Sequence, residues 1–380
     1  MLTTSYPRNS SDPSGIFIKR LACALVRRGT KITVLAPGDP SAKRREWENG
    51  IEIVRFYYAP SPLMKIAYGD GGVPENLRRW PWLMLILPFF FISLIINTII
   101  YSRDCDVIHV NWLPTAFFAL PAKIIRKKAL VVTIRGSDFK RGVTRLGYFI
   151  LRKADAITTV NQRWAKDIRN LIGPKVFYTP DGVETSEEII DPRKRFGISS
   201  DKIIVLYVGA LRLIKGADIL AKIADLTMRM DSSIQFLVIG PGDPKKFGFY
   251  GLPNVICAGS LSPREVLAIF PQCDIFVFPT RHEGRGIVFL EAMASGLPCV
   301  TTALPVITEI LTEETGIVVQ VEDVKTFAEK ICLLSADPIK RKIMGEKAKH
   351  RIKELSLDWD TSATNYLSIF EKVLGSEYSG

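Results

Sequence analysis

Histidine is nearly absent from this 380-residue chain: three copies, with no pair at metal-ligand spacing. Cysteine is scarce too. The six thiols (Cys23, Cys105, Cys257, Cys273, Cys299, Cys332) are scattered, mostly in apolar runs, and form no Cys-x-x-Cys. They are expected to be small buried hydrophobes of a reducing compartment, which argues against a zinc site and a disulfide framework. No strand-like run is followed by Gly-x-Gly-x-x-Gly with an acid about twenty residues on, so a nicotinamide-dependent dehydrogenase is disfavoured. Neither an internal repeat nor a low-complexity tract nor a secretory leader is read, and a cytoplasmic protein is expected. Two Asp-x-Asp patterns exist. Asp104-Cys105-Asp106 opens a strand and Asp358-Trp359-Asp360 precedes a helix, so both read as structural and no metal is expected.

Acidic residues are short in one half only. Residues 1–180 hold 28 Lys and Arg against 12 Asp and Glu, a net +16, while the remainder holds 23 against 27, a net −4. The whole excess of the +12 chain therefore lies in the first half, which should face a membrane surface, a lipid phosphate, an acidic glycan or nucleic acid. No nucleic-acid-binding motif accompanies it. Charge is missing altogether from Leu83 to Tyr101. As a helix this stretch is roughly 28 Å long, close to a bilayer core. A span would separate the strands read on either side of it onto opposite faces of a membrane, so a helix packed on the sheet is expected, with one face in lipid as an extension of that reading. Pro88 interrupts the run.

The length predicts two domains, each with its own core. Residues 1–183 read as an α/β domain. A polar loop ends at Gly15, followed by an amphipathic helix over Ile16–Arg28 and a strand over Lys31–Ala36; Met1-Leu2-Thr3-Thr4 reads as only the tail of a first strand. Ile51–Tyr57 is a further strand, and residues 59–82 are either a mobile loop or simply irregular. Val107–Val110 is a strand running into His109, Asn111 and Trp112. A helix over 115–126 leads to a strand over Leu130–Ile134 that ends in Arg135-Gly136-Ser137-Asp138. Ligands of open α/β sheets sit beyond the carboxyl ends of strands, which makes His109, Asn111, Arg135, Ser137 and Asp138 candidates to face a ligand. Arg135 is either a bidentate binder of phosphate or carboxylate or the ion-pair partner of Asp138. Strands over Ala156–Val160 and Val176–Thr179 follow, and residues 184–199 read as a charged linker.

The second domain, 200–356, opens on the apolar strand Ile203–Val208. Gly209 ends it, Arg212 and Lys215 follow, and a helix starts at Ala217. A glycine and two cations before a helix suit a pyrophosphate. Ile234–Ile239 with Gly240 repeats the strand-then-glycine pattern. Val255–Gly259 is a strand, and Ser262 with Glu265 forms a capping box. The stretch Asp274–Thr302 then gives a strand (Ile275–Phe278), a turn holding Glu283, Gly284, Arg285 and Gly286, a helix (Ile287–Ser295) and a strand (Cys299–Thr302). Glu283 and Glu291 flank a helix start that favours anions. Carboxylates repel anions but accept from hydroxyls, so the ligand should be part phosphate and part sugar. Gly316–Val319 is a last strand. Residues 323–335 and 338–354 are helices, and 357–380 holds a final helix with Trp359, Tyr366 and Phe370 on one face.

Glu283 and Glu291 in the context EGRGIVFLEAMASGLPCV closely resemble the donor motif of retaining glycosyltransferases of family 4, and the resemblance extends over nearly the whole chain. It implies a GT-B fold: two Rossmann-like domains facing across a cleft, with the last helix crossing back to the first domain. It implies transfer of a sugar from a nucleoside-diphosphate sugar to an acceptor hydroxyl with retention, without metal or other cofactor. In that frame Arg212, Lys215 and Glu283 are catalytic. Gly15, Gly209, Gly240, Gly284, Arg285, Gly286, Ile287 and Glu291 line the donor. Many relatives carry His where Arg135 stands. The basic half and the apolar 83–101 stretch favour a lipid-linked or cell-surface polysaccharide acceptor and a peripheral place on the inner face of the membrane. A sugar-nucleotide epimerase of the same fold and a non-catalytic membrane-surface protein remain the alternatives.

Overall fold

In the computed structural model, which describes residues 1–69, 72–135 and 143–375, the chain divides into two compact units. One is Met1–Gly182 with Trp359–Gly380, the other Val183–Asp358. The first unit holds strands β1 (Ile32–Pro37), β2 (Arg45–Glu48), β3 (Ile51–Phe56), β4 (Val107–Asn111), β5 (Ala129–Ile134), β6 (Ala156–Thr159) and β7 (Val176–Tyr178). Its helices are α1 (Ile16–Arg27), α2 (Gly72–Arg79), α3 (Leu87–Tyr101), α4 (Leu113–Arg126), α5 (Arg145–Lys153) and α6 (Gln162–Ile172). The strands lie in the orders β1-β3-β2 and β4-β5-β6-β7, parallel except for the β2–β3 pair. Leu2 connects the two sets by bridging Leu35 on one side and Val110 on the other. Its N–H donates to the His109 carbonyl at 2.7 Å and its carbonyl accepts from Asn111 N–H at 2.9 Å. The short segment read as a strand's tail thus pairs on both edges. β3 and β5 are buried at every position, as a parallel sheet covered on both faces requires.

The uncharged stretch differs from its expected form. A 3-10 turn over Pro81–Leu85 precedes α3, which has 15 residues. At 1.5 Å per residue α3 is about 22 Å long, short of a hydrocarbon core of about 30 Å. No helix among the described residues is long and apolar enough to cross a membrane. Pro88 does not break the helix; it occupies its first turn, where a missing N–H costs nothing. Residues 59–69 and 72–82 are also more ordered than an irregular loop. Met64, Ile66 and Tyr68 are buried, and Asn76 of α2 donates to the carbonyls of Ile66 and Tyr68.

The second unit is a six-stranded parallel sheet of β8 (Ile203–Val208), β9 (Ile234–Ile239), β10 (Val255–Gly259), β11 (Ile275–Phe278), β12 (Cys299–Thr302) and β13 (Gly316–Val319), in the order β10-β9-β8-β11-β12-β13. Counted within the unit this is 3-2-1-4-5-6, the doubly wound order, and its direction reverses between β8 and β11. The helices are α7 (Pro192–Phe196), α8 (Ala217–Met230), α9 (Pro263–Ile269), α10 (Ile287–Ala294), α11 (Pro305–Thr308), α12 (Val324–Ser335) and α13 (Pro338–Glu354). The expected linker is part of this unit: α7 lies within it, capped by Asp191 and closed by Gly197, while Ile198 enters the core and Ile190 N–H donates to the Ala268 carbonyl. Its charges face outward and its few apolar residues pack, so the charge density hid a short helix. Only Cys299 of the six thiols is fully buried, and Cys257 is exposed. The last helix, α14 (Trp359–Gly375), belongs to the first unit, where Trp359 and Tyr366 pack with the buried face of α1 and Val373 lies against Val131 of β5.

Candidate active site

The doubly wound order directs attention to the two loops that leave β8 and β11, because a ligand of such a sheet sits at the carboxyl ends of the strands where the order reverses. The β8 loop carries Gly209, Arg212 and Lys215, and the β11 loop carries Glu283 to Gly286. The two are stitched together. Arg281 N–H donates to the Ile214 carbonyl at 3.0 Å, and Thr280 Oγ1 donates to the same carbonyl at 3.2 Å. Arg281 grips Asp218, in the first turn of α8, with Nη1 and Nη2 at 2.7 and 2.8 Å, reaches Glu322 through Nε at 2.8 Å, and donates from Nη1 to the Leu213 carbonyl. Hydrogen bonding to Asp218 raises the Arg281 guanidinium further, and the same bonds hold Asp218 below the usual carboxylate range.

Across this seam Lys215 Nζ lies 2.5 Å from Glu283 Oε1. Glu283 is nearly buried and also accepts from Thr280 Oγ1 at 3.2 Å, while a third of Lys215 is exposed. Gly216 makes the approach possible. It caps α8 at φ +71°, and a Cβ there would stand 1.9 Å from the Pro279 carbonyl oxygen, so only glycine lets the β8 loop touch the β11 loop. Tyr207 fixes the loop from below, its hydroxyl pointing at the Ala210 and Lys215 carbonyls; burial, with the nearby Glu283 charge, raises its phenol. Arg212 is half-buried and makes no ion pair among the described residues. Gly286 caps α10 at φ +71° in the same manner, Ile287 opens the helix, and Arg285 and Glu291 are buried beside it. Gly209 and Gly240 end neighbouring strands, with Gly209 N–H donating to the Ile239 carbonyl and Gly240 N–H to the Gly259 carbonyl. The expected donor residues of this unit are thus gathered on the loops and helix start at one strand-order reversal. Arg281, Asp218 and Glu322 were not read from the sequence, although an acid in the first turn of α8 was a visible signal.

In the first unit the strand ends hold a different arrangement. Gly15 caps α1 in the left-handed conformation. Arg135 Nη1 contacts both carboxylate oxygens of Asp181, at 2.6 and 2.7 Å, its Nε donates to Asn111 Oδ1 at 2.8 Å, and its guanidinium lies over the Phe17 ring at 4.6 Å. All three polar residues are buried. The anion-binding expectation for Arg135 therefore meets an internal counter-charge, Asp181, which the sequence reading passed over. His109 corrects another expectation. It is buried against Tyr366 and Phe370, with Nε2 2.7 Å from Thr133 Oγ1, and so is a core residue. Burial, with help from the amino terminus and Arg135, drives its pKa well below the ordinary value. Ser137 and Asp138 lie outside the described residues. At the end of β4 Trp112 has φ +70°, an uncommon conformation for a bulky residue.

Comparison with known proteins bears on the family and the fold. Residues 189–351 match the family model described as Glycosyl transferases group 1, and residues 14–187 match Glycosyltransferase Family 4. The chain belongs to glycosyltransferase family 4. This family 4 glycosyltransferase is 25% identical over 327 residues to a GDP-mannose-dependent monoacylated alpha-(1-6)-phosphatidylinositol monomannoside mannosyltransferase of Corynebacterium glutamicum, covering 80% of this chain and 85% of the relative. It is 22% identical to the putative teichuronic acid biosynthesis glycosyltransferase TuaC of Bacillus subtilis, over 87% of each chain. Among solved structures it resembles sucrose-phosphate synthase from Thermosynechococcus elongatus (TM-score 0.78, 18% identity, 99% of each chain). It also resembles Anabaena HepE in complex with UDP and glucose (TM-score 0.73, 14% identity, 98% of this chain and 99% of that one). The fold is GT-B.

Proposed function

We propose that this glycosyltransferase moves a sugar from a nucleoside-diphosphate sugar to an acceptor hydroxyl with retention of anomeric configuration and without a metal. The observation that carries the reading is the 2.5 Å Lys215–Glu283 contact beside Arg212, at the strand-order reversal. A cation and a carboxylate held together there suit a ligand with a charged diphosphate at one end and hydroxyls at the other. The names of the relatives support the same class, since one is GDP-mannose-dependent and a structural neighbour was crystallised with UDP.

In the proposed reaction the bond between the anomeric carbon and the diphosphate oxygen breaks. A bond from that carbon to the acceptor oxygen forms on the same face, and the acceptor proton passes to the departing phosphate. Negative charge grows on the leaving group, and in this reading Arg212 and Lys215 stabilise it, the task a divalent ion would otherwise perform. Glu283 accepts from the sugar hydroxyls and Glu291 from the ribose. The acceptor is proposed to be a lipid-linked or cell-surface polysaccharide intermediate, in keeping with relatives named for phosphatidylinositol mannoside and teichuronic acid. A thermal-shift panel of nucleotide sugars tests the donor assignment through binding linkage. One or more should raise Tm in wild type and fail to do so in Lys215→Ala. Turnover with the best stabiliser should survive EDTA and yield a product of unchanged anomeric configuration. No shift from any nucleotide sugar, or an inverted product, overturns the reading.

A further inference from the structure

The first unit carries an apolar surface that its own fold leaves uncovered. α3 and α4 pack side by side, with Phe91 and Phe118 stacked at 4.0 Å and Arg126 Nε bonded to the Ile99 carbonyl. On α3 the inward row Phe90, Leu94 and Thr98 is buried, while the outward row Phe89, Ile92, Ile96 and Ile100 is at least half exposed. A surface helix ordinarily turns polar residues outward. On α4 the outward residues Ile124 and Ile125 are 73% and 59% exposed. α5, which follows at residues 145–153, adds exposed Leu146 and Phe149. Isolated exposed hydrophobics are normal, but three successive helices bearing them are not.

The charges within the three helices are of one sign, and the acids nearby lie at their ends: Asp104 and Asp106 follow Arg103, and Asp155 pairs with Lys123 of α4. The sequences of α3, α4 and α5 contain no Asp or Glu. Lys127 and Lys128 close α4, Arg103 follows α3, and Arg145, Arg152 and Lys153 lie on α5, with Lys153 Nζ 5.9 Å from the Phe149 ring centroid. An apolar face with a basic border matches a lipid bilayer, whose acyl region takes the side chains and whose anionic headgroups take the cations. A second copy of the chain fits worse, because a symmetric contact would bring Lys and Arg against Lys and Arg. We propose that the outer face of α3, α4 and α5 seats this protein on an anionic membrane surface. α3 lies in the plane of the interface, and the seat is independent of the donor chemistry.

Vesicle flotation of the full chain tests this, with phosphatidylcholine alone and phosphatidylcholine mixed with phosphatidylglycerol. The wild type should float with the mixed vesicles, far less with the neutral ones, and bind less in high salt. Ile92→Glu/Ile96→Glu, at exposed positions, should keep the circular dichroism spectrum and Tm while losing about tenfold or more in partition; Lys127→Glu/Lys128→Glu should lose several-fold. The proposal is overturned if the wild type stays with the unbound fraction, if it binds neutral vesicles equally well, or if both variants float like wild type. It is equally overturned if light scattering finds a dimer that Ile92→Glu/Ile96→Glu dissolves, which would assign the face to a second copy.

Discussion

Replacing Arg281 with alanine should separate the two loops that build the proposed donor site. Three of its bonds reach carboxylates and a fourth reaches the Leu213 carbonyl. Charge-assisted hydrogen bonds contribute about 1.5–3 kcal/mol each when shielded. Here about a quarter of Arg281 and of Asp218 is in water, and 63% of Glu322 is, so screening brings each ion pair to about 1 kcal/mol or less. The expected loss of unfolding free energy is about 1–2 kcal/mol, readable by urea titration at neutral pH. Asp218 makes the effect pH-dependent. The bonds from Arg281 hold its folded pKa below the ordinary carboxylate value, so the pair stabilises above that value and is lost as pH falls through the folded pKa. The stability gap between wild type and Arg281→Ala should therefore close in acid. Because the same side chain holds the backbone on which Lys215 sits, nucleoside-diphosphate affinity by calorimetry should fall by about tenfold, equivalent to about 1.4 kcal/mol. Arg281→Lys, which keeps the charge but not the two-pronged grip, should fall between. If Arg281→Ala loses stability yet binds nucleoside diphosphate within about twofold of wild type, which is well under 1 kcal/mol, the claim that it positions the cation is refuted.

Other perturbations have directions fixed by contacts of the same kind. Lys215→Ala and Glu283→Ala should keep the far-UV spectrum and lose about a hundredfold or more in turnover, measured by product formation; unchanged turnover in either purified variant discards its role. Gly216→Ala adds a Cβ at 1.9 Å from the Pro279 oxygen in a left-handed backbone, so it should destabilise by more than about 1 kcal/mol in denaturant titration and weaken donor binding with it. Burial drives the His109 pKa well below the ordinary imidazole value. Below about pH 6.5 the unfolded chain takes up a proton that the fold refuses, so stability should fall by up to about 1.4 kcal/mol per pH unit, and His109→Gln should remove that slope.

What the sequence revealed was largely what local pattern encodes. The apolar runs over Ile203–Val208, Ile234–Ile239 and Ile275–Phe278 are strands with those bounds, because strands buried on both faces leave no room for polar residues. Glycines before Ala217 and Ile287 located two helix starts. Other elements were hidden. β2 is Arg-Glu-Trp-Glu, an edge strand polar enough to look like a loop. Its hairpin turn, Asn49-Gly50 at φ +49° and +77°, was nonetheless a readable signal. Helices α5 and α6 are dense in cations, which masked their short apolar faces. Leu2 could be seen as a strand residue, but its pairing with both Leu35 and Val110 depends on partners 33 and 108 positions away. The same holds for Arg281, whose carboxylates lie 63 and 41 residues off.

Distance in sequence also explains why the polar residues at the strand ends of the two units, alike on paper, differ in what they can do. Arg135 and Arg212 each stand just beyond the end of a strand. Arg135 is 46 residues from Asp181 and buried against it, its Nη1 contacting both carboxylate oxygens and its Nε donating to Asn111 Oδ1. Pairing and burial together fix that guanidinium, because removing the carboxylate would leave a buried charge without compensation. Arg212 keeps part of its surface in water and has no ion-pair partner among the described residues; its neighbour Lys215 pairs with a carboxylate yet remains a third exposed. A half-exposed cation changes partners at small cost, whereas a buried, doubly bonded one does not. The β8 loop is therefore the one whose cations can change partners, while Arg135 bonds the ends of β4 and β5 to the chain at Asp181, a difference that charge counting along the sequence could not reveal.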